Sequence, residues 1–75
     1  MDITDIMIHV HPDLSVEQRT KLEEAVAASD GVVSVHFSPQ HQHELTVAYD
    51  PDATDSQSIL RQVQQWDAQA AMAGL

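Results

Sequence analysis

Hydrophobic residues alternate with other residues in three short stretches of the chain, 6–11, 33–38 and 45–49. Such alternation predicts β-strands that bury one face and leave the other open. The residues expected to point to the core are Ile6, Ile8, Val10, Val33, Val35, Phe37, Leu45, Val47 and Tyr49. The residues expected on the opposite face are Met7, His9, His11, Ser34, His36, Ser38, Thr46 and Ala48.

Two other stretches carry hydrophobic residues at helical spacing. The expected buried stripes are Val16, Leu22, Ala25 and Val26 in the first helix, and Ile59, Val63, Trp66 and Ala70 in the second. Ser15 and Gln18 have the spacing of a capping box at the start of the first helix. That helix is expected to end at Asp30-Gly31, since glycine readily adopts the left-handed conformation. A second capping box is expected over 54–57.

The order of elements is strand, helix, strand, strand, helix. The alanine-rich tail, 68–75, fits a longer helix, a short fourth strand or a frayed end. A right-handed crossover and two helices on one sheet face predict an α+β fold, a ferredoxin-like two-layer sandwich with antiparallel sheet order 4-1-3-2. Because no linker interrupts the chain, residues 1–75 are expected to form a single domain.

Charge and composition exclude several classes of function. Twelve acidic residues against three basic ones give a net charge of −9, which disfavours nucleic acids and anionic membranes as partners. No basic leader or long apolar run is present, so a soluble, cytoplasmic protein is expected. The lack of cysteine excludes disulfides and thiolate chemistry. No nucleophile–base grouping is visible, so we do not expect an enzyme.

Four motifs resemble one known family: Leu22-x-x-x-Val26, Asp30-Gly31-Val32-x-x-Val35, Val47-x-x-Asp50-Pro51 and Ile59-x-x-x-Val63. Together they are similar to the heavy-metal-associated domain, a copper-chaperone-like module also found on metal-pumping ATPases. The resemblance spans about residues 6 to 66, and it implies a ferredoxin-like fold and metal binding or transfer.

The chain departs from this family at the residues that bind metal. The resemblance places the two cysteines of the family's Cys-x-x-Cys motif at Ser15 and Gln18, so a two-coordinate Cu(I) thiolate site cannot form. The family's glycine near the end of the second helix is also replaced, around Asp67.

Histidines offer a different ligand set, because two His-x-His pairs occur at 9–11 and 41–43. Side chains two residues apart on a strand lie about 6–7 Å apart and can share one ion. In the predicted sheet, the ends of the first two strands and the start of the third lie at one edge. The candidate metal ligands are His11 and His43 as the best pair, with His9, His41 and His36 as secondary ligands. Imidazole ligands suit a divalent transition metal such as Zn, Ni, Cu or Co.

The alternation of the strands sets a condition on this site. On a regular strand His43 shares its face with Leu45 and points toward the helices, whereas His11 points to the open face. A turn or bulge at Gln42 would reconcile the two. His36 is separated from His9 by the third strand, a distance of about 10 Å.

Two functions therefore remain open. The first is a metal-binding or metal-transfer domain with a histidine site in place of the cysteine pair. The second is a metal-free relative that acts as a protein–protein interaction or regulatory module through its exposed sheet face or edge, with solvated histidines. Under either function, Met7 on the open face is a packing residue or, if metal binds, a soft thioether ligand. The oligomeric state is left open.

Overall fold

The structure is a computed structural model that describes residues 2–10, 14–38, 40 and 43–73. The elements in chain order are β1 (Thr4–His9), α1 (Val16–Ala27), β2 (Val32–Phe37), β3 (Glu44–Tyr49), α2 (Ser56–Gln64) and β4 (Ala71–Met72). Of the three alternatives for the tail, the short fourth strand is the one observed. No helix among these residues is long and apolar enough to cross a membrane.

The four strands form one sheet in the order β2-β3-β1-β4, which is the predicted order read from the other edge. β1 pairs antiparallel with β3 along its whole length, from Thr4↔Tyr49 to His9↔Glu44. β4 pairs antiparallel with the end of β1, and β2 pairs antiparallel with β3. β1 and β3 are therefore the inner strands, and the predicted ferredoxin-like sandwich is confirmed.

One hydrophobic cluster joins both helices to one face of the sheet. Its most buried side chains are Ile8, Leu22, Val26, Leu45, Val47, Ile59 and Val63. Burial alternates strictly along β3, as the sequence predicts. Because the helices cover this face, the side chains between the buried ones project from the opposite face of the sheet.

The capping box of α1 is confirmed. The Ser15 hydroxyl accepts the Gln18 amide hydrogen at 3.1 Å, and the Gln18 side chain accepts that of Ser15 at 2.9 Å. The predicted end of the helix is wrong, because α1 ends at Ala27 with Ala28 as its C-cap. Gly31 does have a positive φ of 87°, but it serves the turn into β2.

The buried stripe of α1 is narrower than predicted. Leu22 and Val26 are buried, whereas Val16 is 70% exposed and Ala25 is also exposed. At about 100° per residue, Val16 lies about 120° around the helix from Leu22. Ala25 likewise lies about 100° from Val26, so both side chains face away from the sheet.

The predictions for α2 also need correction at both ends. The N-cap is Asp55 rather than Thr54, and its carboxylate accepts the Ser58 amide hydrogen at 2.8 Å. The helix ends at Gln64, so Trp66 and Ala70 follow it. Ala70 is buried because the loop folds back on the core, whereas Trp66 is 44% exposed.

Val33 is 58% exposed, contrary to the alternation that places it in the core. The register between β2 and β3 shifts between Val32 and Ser34, because β2 carries an extra residue there. Such a bulge reverses the faces on one side of it, and Val32 packs against the core instead. Val35 and Phe37, beyond the bulge, pack against the core as predicted.

Candidate metal centre

The face of the sheet opposite the helices carries the candidate ligands, and we call it the open face. Its described residues are Asp5, Met7, His9, Ser34, His36, Glu44, Thr46, Ala48 and Ala71. Except for the acids, the two histidines and Met7, these side chains are small. The open face is therefore flat, and its larger side chains are reachable from solvent.

His9 lies at the end of β1, on this open face. The preceding residue, Ile8, is fully buried, and alternation along the strand turns His9 outward. Directly across on β3 lies Glu44. Directly opposed residues of an antiparallel pair have Cβ atoms about 4.5–5.5 Å apart on the same face, so an imidazole and a carboxylate meet here.

His43 joins this pair from the turn that precedes β3. The Val10 amide donates a hydrogen bond to the His43 carbonyl oxygen at 2.8 Å, which ties the turn to the end of β1. Because β3 begins only at Glu44, strand alternation does not govern the His43 side chain. Its ring stacks on that of His9, with centroids 5.6 Å apart and an interplanar angle of 18°.

His9, His43 and Glu44 thus form a cluster whose ligand atoms all lie within 4.8 Å of one another. Metal–ligand bonds of about 2.1 Å require donors roughly 3.4 Å apart in a tetrahedral site. The donors must therefore move closer by at most about 1.4 Å. Nearly parallel rings direct their nitrogen lone pairs along parallel planes, so one imidazole must turn. An ion held by both rings would break the stack.

The structure places the other predicted ligands as follows. His36 is on the open face but pairs with Thr46, which also pairs with Met7 of β1. It therefore lies two strand spacings from β1, about 10 Å, and outside the cluster. His11 and His41 lie outside the described residues, so His11–His43 as the best pair stays a prediction.

Glu44, the acid that follows His43 in the sequence, is the third member of the cluster. Because it pairs opposite His9, its carboxylate is as close to the other ligand atoms as the two imidazoles are. The sequence feature that indicates this position is the strand register, since aligning Ile8 with Leu45 puts His9 opposite Glu44.

The cluster suits borderline divalent ions and not soft-metal thiolate chemistry. Two imidazole nitrogens and a carboxylate oxygen are ligands that Zn, Ni, Cu(II) and Co accept. Ser15 and Gln18 close the end of α1 with each other, and neither offers a thiolate. The residues present therefore do not fit a two-coordinate thiolate site.

The electrostatic setting of the cluster favours a cation. All three basic residues of the chain, Arg19, Lys21 and Arg61, belong to helices, so the described part of the open face has none. Asp5 and Glu44 are the acids there. A net charge of −9 adds a negative potential over the molecule, which raises the local concentration of cations.

Solved structures of metal-handling proteins share this fold. Oxidized MerP from Ralstonia metallidurans CH34 is 13% identical, with a TM-score of 0.80, covering 97% of this chain and 100% of that one. The copper binding domain of HMA7, a P-type ATPase, is 17% identical, with a TM-score of 0.79 and 93% of each chain covered. The CsoZ metallochaperone is 19% identical, with a TM-score of 0.76, covering 97% of this chain and 100% of that one.

No family model matches the sequence, and neither does any curated protein. The chain has the ferredoxin-like fold of heavy-metal-associated domains. At these identities the structural likeness establishes the fold, and the chemistry has to be argued from the residues of this chain.

Proposed function

We propose that this chain is a small metal-binding domain in which His9, His43 and Glu44 hold one divalent transition-metal ion. The observation that carries the proposal is the cluster itself, with all three ligand atoms within 4.8 Å. Support comes from the structural neighbours, which include a copper binding domain and a metallochaperone. Zn, Ni, Cu(II) and Co are the ions that the ligands suit.

The ligand set supports transfer of the ion as well as binding. Three protein ligands leave a fourth position of a tetrahedral ion open to water or to a ligand from a partner, whereas structural sites are closed. His9 is exposed, and the cluster lies on the surface of the sheet. A partner protein could therefore approach the ion directly and take it over ligand by ligand.

The proposal is tested by titrating the metal-free protein with Ni, Zn, Co and Cu(II), one at a time, by calorimetry and histidine-ring NMR. We expect one ion per chain and shifts of the His9 and His43 ring resonances as the stack opens. His9→Ala and His43→Ala should each weaken binding by at least about tenfold, because even the loss of a residue that only hydrogen-bonds a metal ligand costs about that much. His36→Ala is the matched control, since His36 shares the open face but lies outside the cluster.

Two results would contradict this ligand set. Unchanged affinity in both the His9→Ala and the His43→Ala variant would remove it. Ring shifts confined to His11 and His41 would place the site at these two histidines, which the sequence also predicts as ligands. A complete lack of response below millimolar metal would remove the metal-binding function itself.

The second candidate function is protein–protein interaction through the open face. It is favoured by the small side chains Thr46 and Ala48, which leave Met7 38% exposed in the middle of the sheet. A flat face of this kind suits packing against another protein. The test is whether Thr46→Arg abolishes binding to a partner protein while the wild type binds no metal. That result would establish protein–protein interaction as the function instead.

A further inference from the structure

Met7 is a large hydrophobic residue on the water-facing side of an inner strand. Its side chain is 38% exposed, while Ile6 and Ile8 on the same strand face the core. A single exposed hydrophobic side chain is common and needs no explanation by itself. What distinguishes Met7 is its position, two residues before His9 on the same strand and the same face.

We propose that Met7 is a further ligand of the site at His9, through which the site also holds Cu(I). This inference rests on the proposed function, because it adds a ligand to the same centre. The thioether sulfur is a soft, neutral ligand of the kind that selects Cu(I), whereas imidazole accepts both Cu(I) and divalent ions. The Glu44 carboxylate is a hard ligand and suits only the divalent state.

The geometry allows the Met7 sulfur to reach the imidazole of His9. Residues two apart on a strand lie about 6–7 Å apart, and the side chain of methionine has three rotatable bonds with which to close that gap. The residue opposite Met7 on β3 is Thr46, which has a smaller side chain. The sulfur can therefore swing toward His9 over the surface of the sheet, without displacing any residue of the core.

The two oxidation states would then use overlapping ligands. A divalent ion takes His9, His43 and Glu44, and Cu(I) takes Met7 with His9 and His43. Because two imidazoles are common to both sets, Cu(I) and Cu(II) bind at the same place. The thioether does not strengthen the binding of Ni(II), so the test compares the affinities for Cu(I) and Ni(II).

The test compares the wild type with Met7→Leu, which keeps the size and hydrophobicity of the side chain but removes the sulfur. Cu(I) is supplied anaerobically with ascorbate and partitioned against bicinchoninate, a coloured Cu(I) chelator, and Ni(II) is titrated in parallel. We expect Met7→Leu to weaken Cu(I) binding by about tenfold or more, as for loss of a ligand, and to leave Ni(II) binding unchanged. Met72→Leu is the matched control, because Met72 packs against the core and should not affect either ion.

The outcomes separate this inference from the proposed function. Ni(II) binding in the wild type together with unchanged Cu(I) affinity in Met7→Leu overturns the role of Met7 and leaves the divalent site standing. Equal loss of both ions in Met7→Leu also overturns it, because the sulfur would then have no specific part. Failure of the wild type to bind either ion overturns both proposals. Thermal melts of each variant verify that it is folded.

Discussion

Gly31 adopts a backbone conformation that other residues rarely tolerate. Its φ is +87°, and its carbonyl oxygen accepts the Asp50 amide hydrogen at 2.8 Å, which ties the turn before β2 to the loop after β3. A Cβ added here would lie 2.9 Å from the Ala53 Cβ and 3.0 Å from the Thr54 Cγ2. Backbone and packing therefore both require glycine.

We expect Gly31→Ala to lower the free energy of unfolding by at least about 1–2 kcal/mol, the cost of a left-handed conformation for an ordinary residue. Urea denaturation of the two proteins measures the difference. Gly31→Asn is an informative control, since asparagine tolerates the conformation but meets the same close contacts. An alanine variant as stable as the wild type would contradict the strain assigned to this turn.

Ser15 and Gln18 show how a change of residue moves chemistry within a fold. The resemblance places the family's thiolate ligands at these two positions, but here the side chains bond to each other's amides and close the start of α1. An N-cap of this type stabilises a helix by about 0.5–2 kcal/mol. The start of α1 thus has a structural role, and the ligands that remain lie on β1, on β3 and in the turn before β3.

At the scale of elements, α2 depends on a charged cap. The Asp55 carboxylate accepts the Ser58 amide hydrogen at 2.8 Å, and this bond lowers the pKa of Asp55 below its usual value of 3.8. Because the folded-state pKa is depressed, the stabilisation is fully present above the usual pKa. It is lost as the pH falls through the folded-state value.

Asp55→Asn tests this dependence, because asparagine also caps helices but does not titrate. Between about pH 6 and about pH 3, we expect the melting temperature of the wild type to fall further than that of the variant. Thermal melts followed by circular dichroism at the two pH values measure the decrease for each protein. An equal decrease in melting temperature in the two proteins would show that the charge of Asp55 does not stabilise α2.

The outer edge of β2 carries features that oppose pairing with a strand of another molecule. The Phe37 amide donates to the Glu23 carboxylate of α1 at 3.2 Å, and the Arg19 guanidinium lies 6.0 Å from the centroid of the Phe37 ring. The bulge near Val33 adds twist to the same edge. Bulges and charged side chains are known means of preventing strand-to-strand association at sheet edges.

At the scale of the whole molecule, the excess of negative charge opposes compact folding. A net charge of −9 on 75 residues produces self-repulsion that salt screens. Raising NaCl from about 10 mM to about 100 mM shortens the Debye length from about 30 Å to about 10 Å. We therefore expect the melting temperature to rise with salt over this range.

The double variant Asp30→Asn, Asp52→Asn removes two exposed charges and should respond less steeply to salt. Scanning calorimetry of both proteins in the two salt concentrations gives the comparison. A melting temperature independent of salt would show that the acidic side chains are spaced too widely to repel one another appreciably.

The order of elements and the alternation of β3 were predicted from the sequence because each follows from a local repeat. The sheet order was predicted from the right-handed crossover and the placement of both helices on one face of the sheet. The errors occur where an element is irregular or ends early. Val33 faces solvent because of a bulge, and Trp66 follows the end of α2. Each depends on one residue more or less in an element, which periodicity alone does not resolve.

The sequence by itself determined which ligands the protein can offer: imidazoles and carboxylates, with thiolates absent. It also determined the strands on or beside which these ligands lie, because alternation and capping act between near neighbours. Only the tertiary structure decided that His9 meets Glu44 and His43, since residues far apart in the chain come together through strand register and the course of a turn. Register follows from how the buried side chains pack across the sheet, and packing is a property of the whole fold.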